Sequence, residues 1–100
     1  MQPFDPAKAI PGTMLTGVDA STLLAGRDVL IQSRLDDQHQ LLATKTRRAT
    51  MIVVNCQGVV LSGNHGSRAA AEAGVPIEIA IIDLPYPSQG PILSIPVVRR

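Results

Sequence analysis

The spacing of apolar and polar positions divides the 100-residue chain into segments of different period. Met51-Ile52-Val53-Val54 is an unbroken apolar run, the pattern of a buried-type strand, and Asn55-Cys56-Gln57-Gly58 reads as a tight turn because Asn and Gly tolerate positive φ. Val59-Val60-Leu61 then returns as an antiparallel strand. Ala69 to Ala73 has high helix propensity, Gly74 is suited to end that helix, and Pro76 opens the core strand Ile77-Glu78-Ile79-Ala80-Ile81-Ile82. Upstream, Ile31, Leu35 and Leu42 recur at helical spacing with Leu30 and Leu41 beside them. Asp28 is a suitable cap, and Lys45, Arg47 and Arg48 collect at the far end, so a helix is expected over residues 28–46.

The flanks are less regular. Residues 14–24 suggest a strand end followed by a helical turn capped by Asp19 or Ser21. Pro3, Pro6 and Pro11 make residues 1–13 an irregular segment, expected to be poorly ordered or laid over the surface. Pro85, Pro87, Pro91 and Pro96 break up the end of the chain, where residues 92–98 form an edge strand or a crossing tail. The expectation is one α/β (α+β) domain over residues 14–100, with a small mixed sheet, preceded by the segment 1–13.

Composition narrows the function. With 45% hydrophobic residues and Phe4 and Tyr86 as the sole aromatics, the core must be built from Val, Ile, Leu and Ala. Stacking of nucleic-acid bases on aromatic platforms is not expected. A formal net charge of +1 exerts no global pull on polyanions, so any basic surface must be local. The single Cys56 cannot form an internal disulfide. No apolar run approaches a membrane span, and no membrane partner is expected. The expected site of action is cytoplasmic, with delivery by a larger parent protein, or an inhibitor partner, left open.

The chemistry concentrates at Gly63-Asn64-His65-Gly66-Ser67-Arg68, between a strand and the Ala-rich helix. Gly63 permits a turn, Asn64 is a good N-cap, and the free N–H groups of the first helical turn, backed by the helix dipole, favour an anion. Gly66 leaves room for a close ligand, and His65 and Arg68, three apart, share a face. Gly63, Asn64, Gly66, Ser67 and Arg68 are therefore the candidate phosphate-binding residues and His65 the candidate catalytic one. Arg47 and Arg48, with Lys45, Arg34 and Arg27, form the basic concentration that could extend the site along a nucleic-acid backbone. No carboxylate cluster accompanies the motif, and no protein metal site is expected. His39 reads as a solvent-facing helix residue and Cys56 as a small structural one.

The segment Gly63 to Gly74 resembles the G-E-R-R-x-R-A-A-x-x-A-G segment of ParB-like and sulfiredoxin-like domains and their G-x-H-R variants. Gly63, Arg68, Ala69, Ala70, Ala73 and Gly74 fall on matching positions without a gap, and His65 falls on the variant histidine. Asn64 stands where ParB has an acidic residue and sulfiredoxin a cysteine, and Gly66 where an arginine contacts phosphate. The resemblance implies a ParB/sulfiredoxin-like fold and a partner that is a nucleic acid or nucleotide. The function it implies is a small nuclease or nuclease-type toxin domain, with a divalent metal such as Mg as a candidate cofactor. The alternative is a non-catalytic module that binds ATP, CTP or nucleic-acid phosphate.

Overall fold

The central sheet is mixed and has four strands. In the computed structural model, which describes residues 1–44 and 51–99, β1 (Met14–Val18), β3 (Ile52–Asn55), β4 (Val60–Ser62) and β5 (Ile77–Ile82) lie in the order β1-β5-β3-β4. β5 runs parallel to β3 and antiparallel to β1, and β3 and β4 form the expected antiparallel hairpin. The parallel pairing follows from chain order: after β4 the chain passes through α2 (Asn64–Ala73) before β5 returns beside β3. α2 packs against β3 and β4 and receives α1 (Gln32–Ala43) on its other side.

Period-2 burial identifies the face that builds the core. Ile52 pairs with Ile79 and Val54 with Ile81, and all four are buried with Val18, Leu23 and Val60. The alternate pair Val53 and Ala80 is only half-buried, with exposed Met14 opposite Ala80. The apolar run at Met51 to Val54 is therefore covered more deeply on one face than on the other. A second, smaller cluster joins Ala25, Leu30, Ile92 and Ile95, with Ala71 of α2 packed on it.

The N-terminal segment lies over the surface, one of its two expected states, the tail ends in a short strand, and the first helix departs from expectation. The N-terminal segment belongs to the packed unit: Gln2 exchanges backbone hydrogen bonds with Gly17 and Asp19, Ala9 is buried, and Phe4 packs on the main core. Phe4 is held there by Gly58, where a Cβ would lie 2.9 Å from the ring. The first helix begins at Gln32 rather than Asp28, because Leu30 and Ile31 are extended as β2 (Leu30–Ile31), parallel to β6 (Val97–Val98). Tertiary pairing has overridden the helical spacing there, and Ile31 caps the helix without a side-chain bond. The tail resolves into a 3₁₀ turn at Ile92–Ser94 followed by β6. Asp19 caps the 3₁₀ turn Ala20–Thr22, one of the two residues expected to do so.

The hairpin turn depends on Asn55, which is 1% exposed. Its Oδ1 accepts from the N–H groups of Gln57 and Val59, each at 3.0 Å, and its Nδ2 donates to the Leu84 carbonyl at 3.1 Å. Asn55→Ala strands all three partners and should cost about 2–4 kcal/mol in urea unfolding. Asn55→Asp should be comparably damaging, because a carboxylate would face the Leu84 carbonyl with no proton to share.

Candidate anion-binding cleft

The turn into α2 is built on Gly63. It adopts φ +94°, ends β4 and serves as the helix N-cap without a side-chain hydrogen bond. A Cβ there would meet Ile52 Cγ1 at 3.0 Å, so close packing and the left-handed conformation both require glycine. Asn64, expected as the cap, is instead the first helical residue, and its amide turns inward. Oδ1 accepts from the Gly26 N–H at 2.9 Å and Nδ2 donates to the Val60 carbonyl at 3.2 Å. The helix start is thus left without a side-chain cap, facing a cleft of about 420 Å³ lined by Gly63, Asn64, His65 and Gly66.

Two cations from outside the motif complete that cleft. Arg27 comes from the loop before β2 and Arg34 from the first turns of α1, and both line the cavity. Neither has a hydrogen-bond or ion-pair partner given by the geometry of the described residues. Gly66 allows α1 to approach, since a Cβ at that position would lie 3.1 Å from Gln38 Oε1. Asp37 and the exposed Tyr86 form other parts of the wall.

His65 lines the cleft, but its ring is already engaged. Nε2 accepts the Ile31 N–H at 2.9 Å, which places the proton of the neutral ring on Nδ1. Burial, followed by the charges of Arg27 and Arg34, holds the imidazole below its ordinary value of 6.5. The neutral ring can therefore address a ligand as a hydrogen-bond donor. Its other lone pair is committed to the backbone at the start of α1, so a general-base role would require that bond to break.

The other two motif residues are drawn elsewhere. Ser67 is 0% exposed, its N–H bonds to the Gly63 carbonyl at 2.8 Å, and its Oγ is buried without a partner among the described residues. Arg68 turns toward the chain's end: Nη1 donates to the carbonyls of Ile92 at 3.1 Å and Ile95 at 2.7 Å, while Nε pairs with Glu72 at 2.7 Å. Neither Ser67 nor Arg68 lines the cleft. His39, expected as a solvent-facing helix residue, is partly exposed and meets the other oxygen of Glu72 at 2.6 Å. Burial alone would raise the Glu72 pKa, but the hydrogen bonds from Arg68 and His39 outweigh it and hold it below the usual range.

Of the expected site residues, the fold therefore gathers Gly63, Asn64, His65 and Gly66, and withdraws Ser67 and Arg68. Arg47 and Arg48 lie outside the described residues. Arg27 and Arg34 were visible as part of a diffuse basic stretch, but no spacing rule links them to a turn some thirty residues away. Among the described residues no group of three or more His, Cys, Asp or Glu is placed to hold a metal ion. Within the cleft, the single carboxylate of Asp37 beside two arginines is a poor donor set for Mg. No helix of the described residues is long and apolar enough to cross a membrane. Comparison with protein-family models, with curated proteins and with solved structures finds no match to this chain.

Two substitutions separate architecture from ligand contact. Because the folded ring takes up a proton less readily than the unfolded one, His65 favours the native state above pH 6.5, and that contribution is lost as pH falls toward the lowered folded value. His65→Ala should cost about 1–2 kcal/mol at neutral pH by stranding the Ile31 N–H. In His65→Gln, an amide oxygen replaces Nε2 as acceptor, so stability should be largely kept while its decline as pH falls below 6.5 flattens. Urea unfolding at several pH values reads both effects; an unchanged slope in His65→Gln would assign the titration to another group. Ser67→Ala should be neutral or up to about 1 kcal/mol stabilising, since it removes a buried oxygen without a partner.

Proposed function

We propose that this chain is a phosphate-binding α+β domain of the ParB/sulfiredoxin-like kind, in which the cleft at the start of α2 holds a phosphoryl group without cleaving it. The observation that carries this reading is the convergence of Arg27 and Arg34, two arginines without a partner among the described residues, on an uncapped helix N-terminus. Unpaired guanidinium groups facing the same concavity repel one another and raise its potential. An oxyanion relieves that repulsion and accepts from both planar forks. The backbone N–H groups of the first turn of α2 and the Nδ1–H of His65 supply further donors of the same sense.

Binding is favoured over hydrolysis by the state of His65. A nuclease of the expected kind needs a group that moves a proton to or from the attacking or leaving oxygen. The Nε2 lone pair of His65 is occupied by Ile31, and neighbouring arginines oppose protonation of the ring. The likeness of Gly63 to Gly74 to the ParB segment supports the same ligand class, with nucleic acids and nucleotides as the phosphate carriers it points to. The departures at Asn64 and Gly66 fit a domain whose cations come from Arg27 and Arg34 instead.

Calorimetric titration with inorganic phosphate and pyrophosphate should give saturable binding that weakens with salt. Arg27→Ala or Arg34→Ala should each reduce affinity about 10-fold or more without changing the fold, as expected for loss of a charge-assisted contact. Equal affinity in both variants and wild type would overturn the assignment. Incubation with plasmid DNA, total RNA and nucleoside triphosphates, with and without Mg, should yield no product. Product formed by wild type and lost in His65→Gln would instead establish the nuclease.

A further inference from the structure

The anion cleft does not stand alone on its side of the molecule. A second concavity of about 510 Å³, lined mainly by Leu24, Pro85, Tyr86 and Pro87, adjoins it. The two share Tyr86 as a common wall. They are also built on the same pair of chain segments: Leu24 and Val59 line the second concavity, and two residues further along, Gly26 and Leu61 line the first. Those segments are locked together by hydrogen bonds from the Leu24 N–H to the Gly58 carbonyl at 2.9 Å and from the Val60 N–H to the Leu24 carbonyl at 2.8 Å.

Glycine at position 26 makes this junction possible. A Cβ there would lie 2.2 Å from the Val60 carbonyl oxygen and 3.4 Å from Tyr86 Cε2. The ring of Tyr86 therefore sits over bare backbone between a polar cleft and an apolar shelf. It is nonetheless 48% exposed, a large ring presented to solvent in a chain with one other aromatic residue. The shelf carries rigid proline rings and aliphatic surface, with Gln57 and Ser88 as its polar members. Such a surface does not attract a second phosphate; it suits a flat ring that can stack.

We infer that the ligand is a phosphate monoester whose organic part ends in a flat ring, with the phosphoryl group in the Arg27–Arg34 cleft and the ring on the Leu24–Pro85–Pro87 shelf against Tyr86. The inference rests on the phosphate-binding reading and adds the other half of the ligand to it. Two residues of extended chain separate the linings of the two concavities, roughly 6–7 Å. A spacer of a few atoms therefore lies between phosphorus and ring. Tyr86 is the specificity-determining residue, selecting among phosphate esters by what they carry.

The test compares ethyl phosphate with 2-phenylethyl phosphate by calorimetry on the full chain, and reads the ratio of their affinities. Wild type should bind the ring compound roughly 10-fold or more tightly, the scale of one stacked ring. Tyr86→Ala should bring the ratio close to one, and Tyr86→Phe should preserve it; the exposure of Tyr86 makes both variants compatible with folding. Arg34→Ala should weaken both compounds together and leave the ratio unchanged. A nucleoside 5′-monophosphate and riboflavin 5′-phosphate, each with a short chain between phosphorus and ring, are two sources of the same chemistry when titrated alongside, and the tighter of them identifies the source. A ratio near one in wild type, or one that Tyr86→Ala does not alter, overturns the inference while leaving phosphate binding intact. Absence of binding by every phosphate compound overturns both.

Discussion

A single buried amide sets the position of everything around the cleft. Asn64 holds the Gly26 N–H with one end and the Val60 carbonyl with the other, joining the start of α2 to the loop that leads to β2 and to the edge strand β4. Val60 is 0% exposed, so its carbonyl cannot turn to water instead, and losing the amide would cost about 1–3 kcal/mol for each polar group left buried without it. The contact also requires the absence of a side chain at Gly26, which lets the backbone pass against Val60. From this junction follow the approach of Arg27 to the helix start and the seating of Tyr86 over Gly26.

The polar residues of the motif and those of the cleft wall divide the work unequally. Asn64, His65 and Arg68, the most chemically suggestive side chains in the sequence, spend hydrogen bonds on Gly26, Val60, Ile31, Ile92 and Ile95. All but the Asn64–Val60 bond, which spans four residues, cross between elements distant in the chain, so together they fasten β2, α1 and the C-terminal segment to α2. The cations left to face the cleft come from elements with no motif at all. This follows from electrostatics: an arginine that satisfies buried carbonyls has fewer donors for a ligand, whereas one without a protein partner keeps its field available.

α2 packs against α1, β3 and β4 and carries Ala71 onto the smaller core. Ala69 and Ala70 are buried to within 1%, and such small side chains let neighbouring elements approach the helix closely. On its outer side Glu72 receives Arg68 within the helix and His39 from α1, at side-chain exposures of 32% and 38% for Glu72 and His39. Screening by solvent makes that interlock worth little as an ion pair, and its effect is chiefly to set the orientation of the Arg68 fork toward the chain's end.

Local signals in the chain were sufficient for the elements with strong internal logic. Val59 to Gly74 carries its strand, its turn and its helix stop within consecutive residues: Gly74 adopts the left-handed conformation expected of a helix stop, and Gly63, expected to permit the turn, is left-handed too. The apolar run at Ile52, the turn at Asn55 and the strand after Pro76 were legible for the same reason: each is specified by neighbours. The four residues from Asp28 to Ile31 were not, because their helical spacing competes with pairing to Val97 and Val98, sixty-seven positions away in register. At the site, sequence alone marked an anion-favouring helix start over Gly63 to Arg68, Ser67 and Arg68 included. Only the tertiary structure decided that Ser67 is buried, that Arg68 and the His65 Nε2 serve the backbone, and that Arg27, Arg34 and Tyr86 line the cleft. Periodicity and capping report what a residue does to its own segment, whereas a charge becomes a binding group only when folding leaves it beside other donors and without a partner.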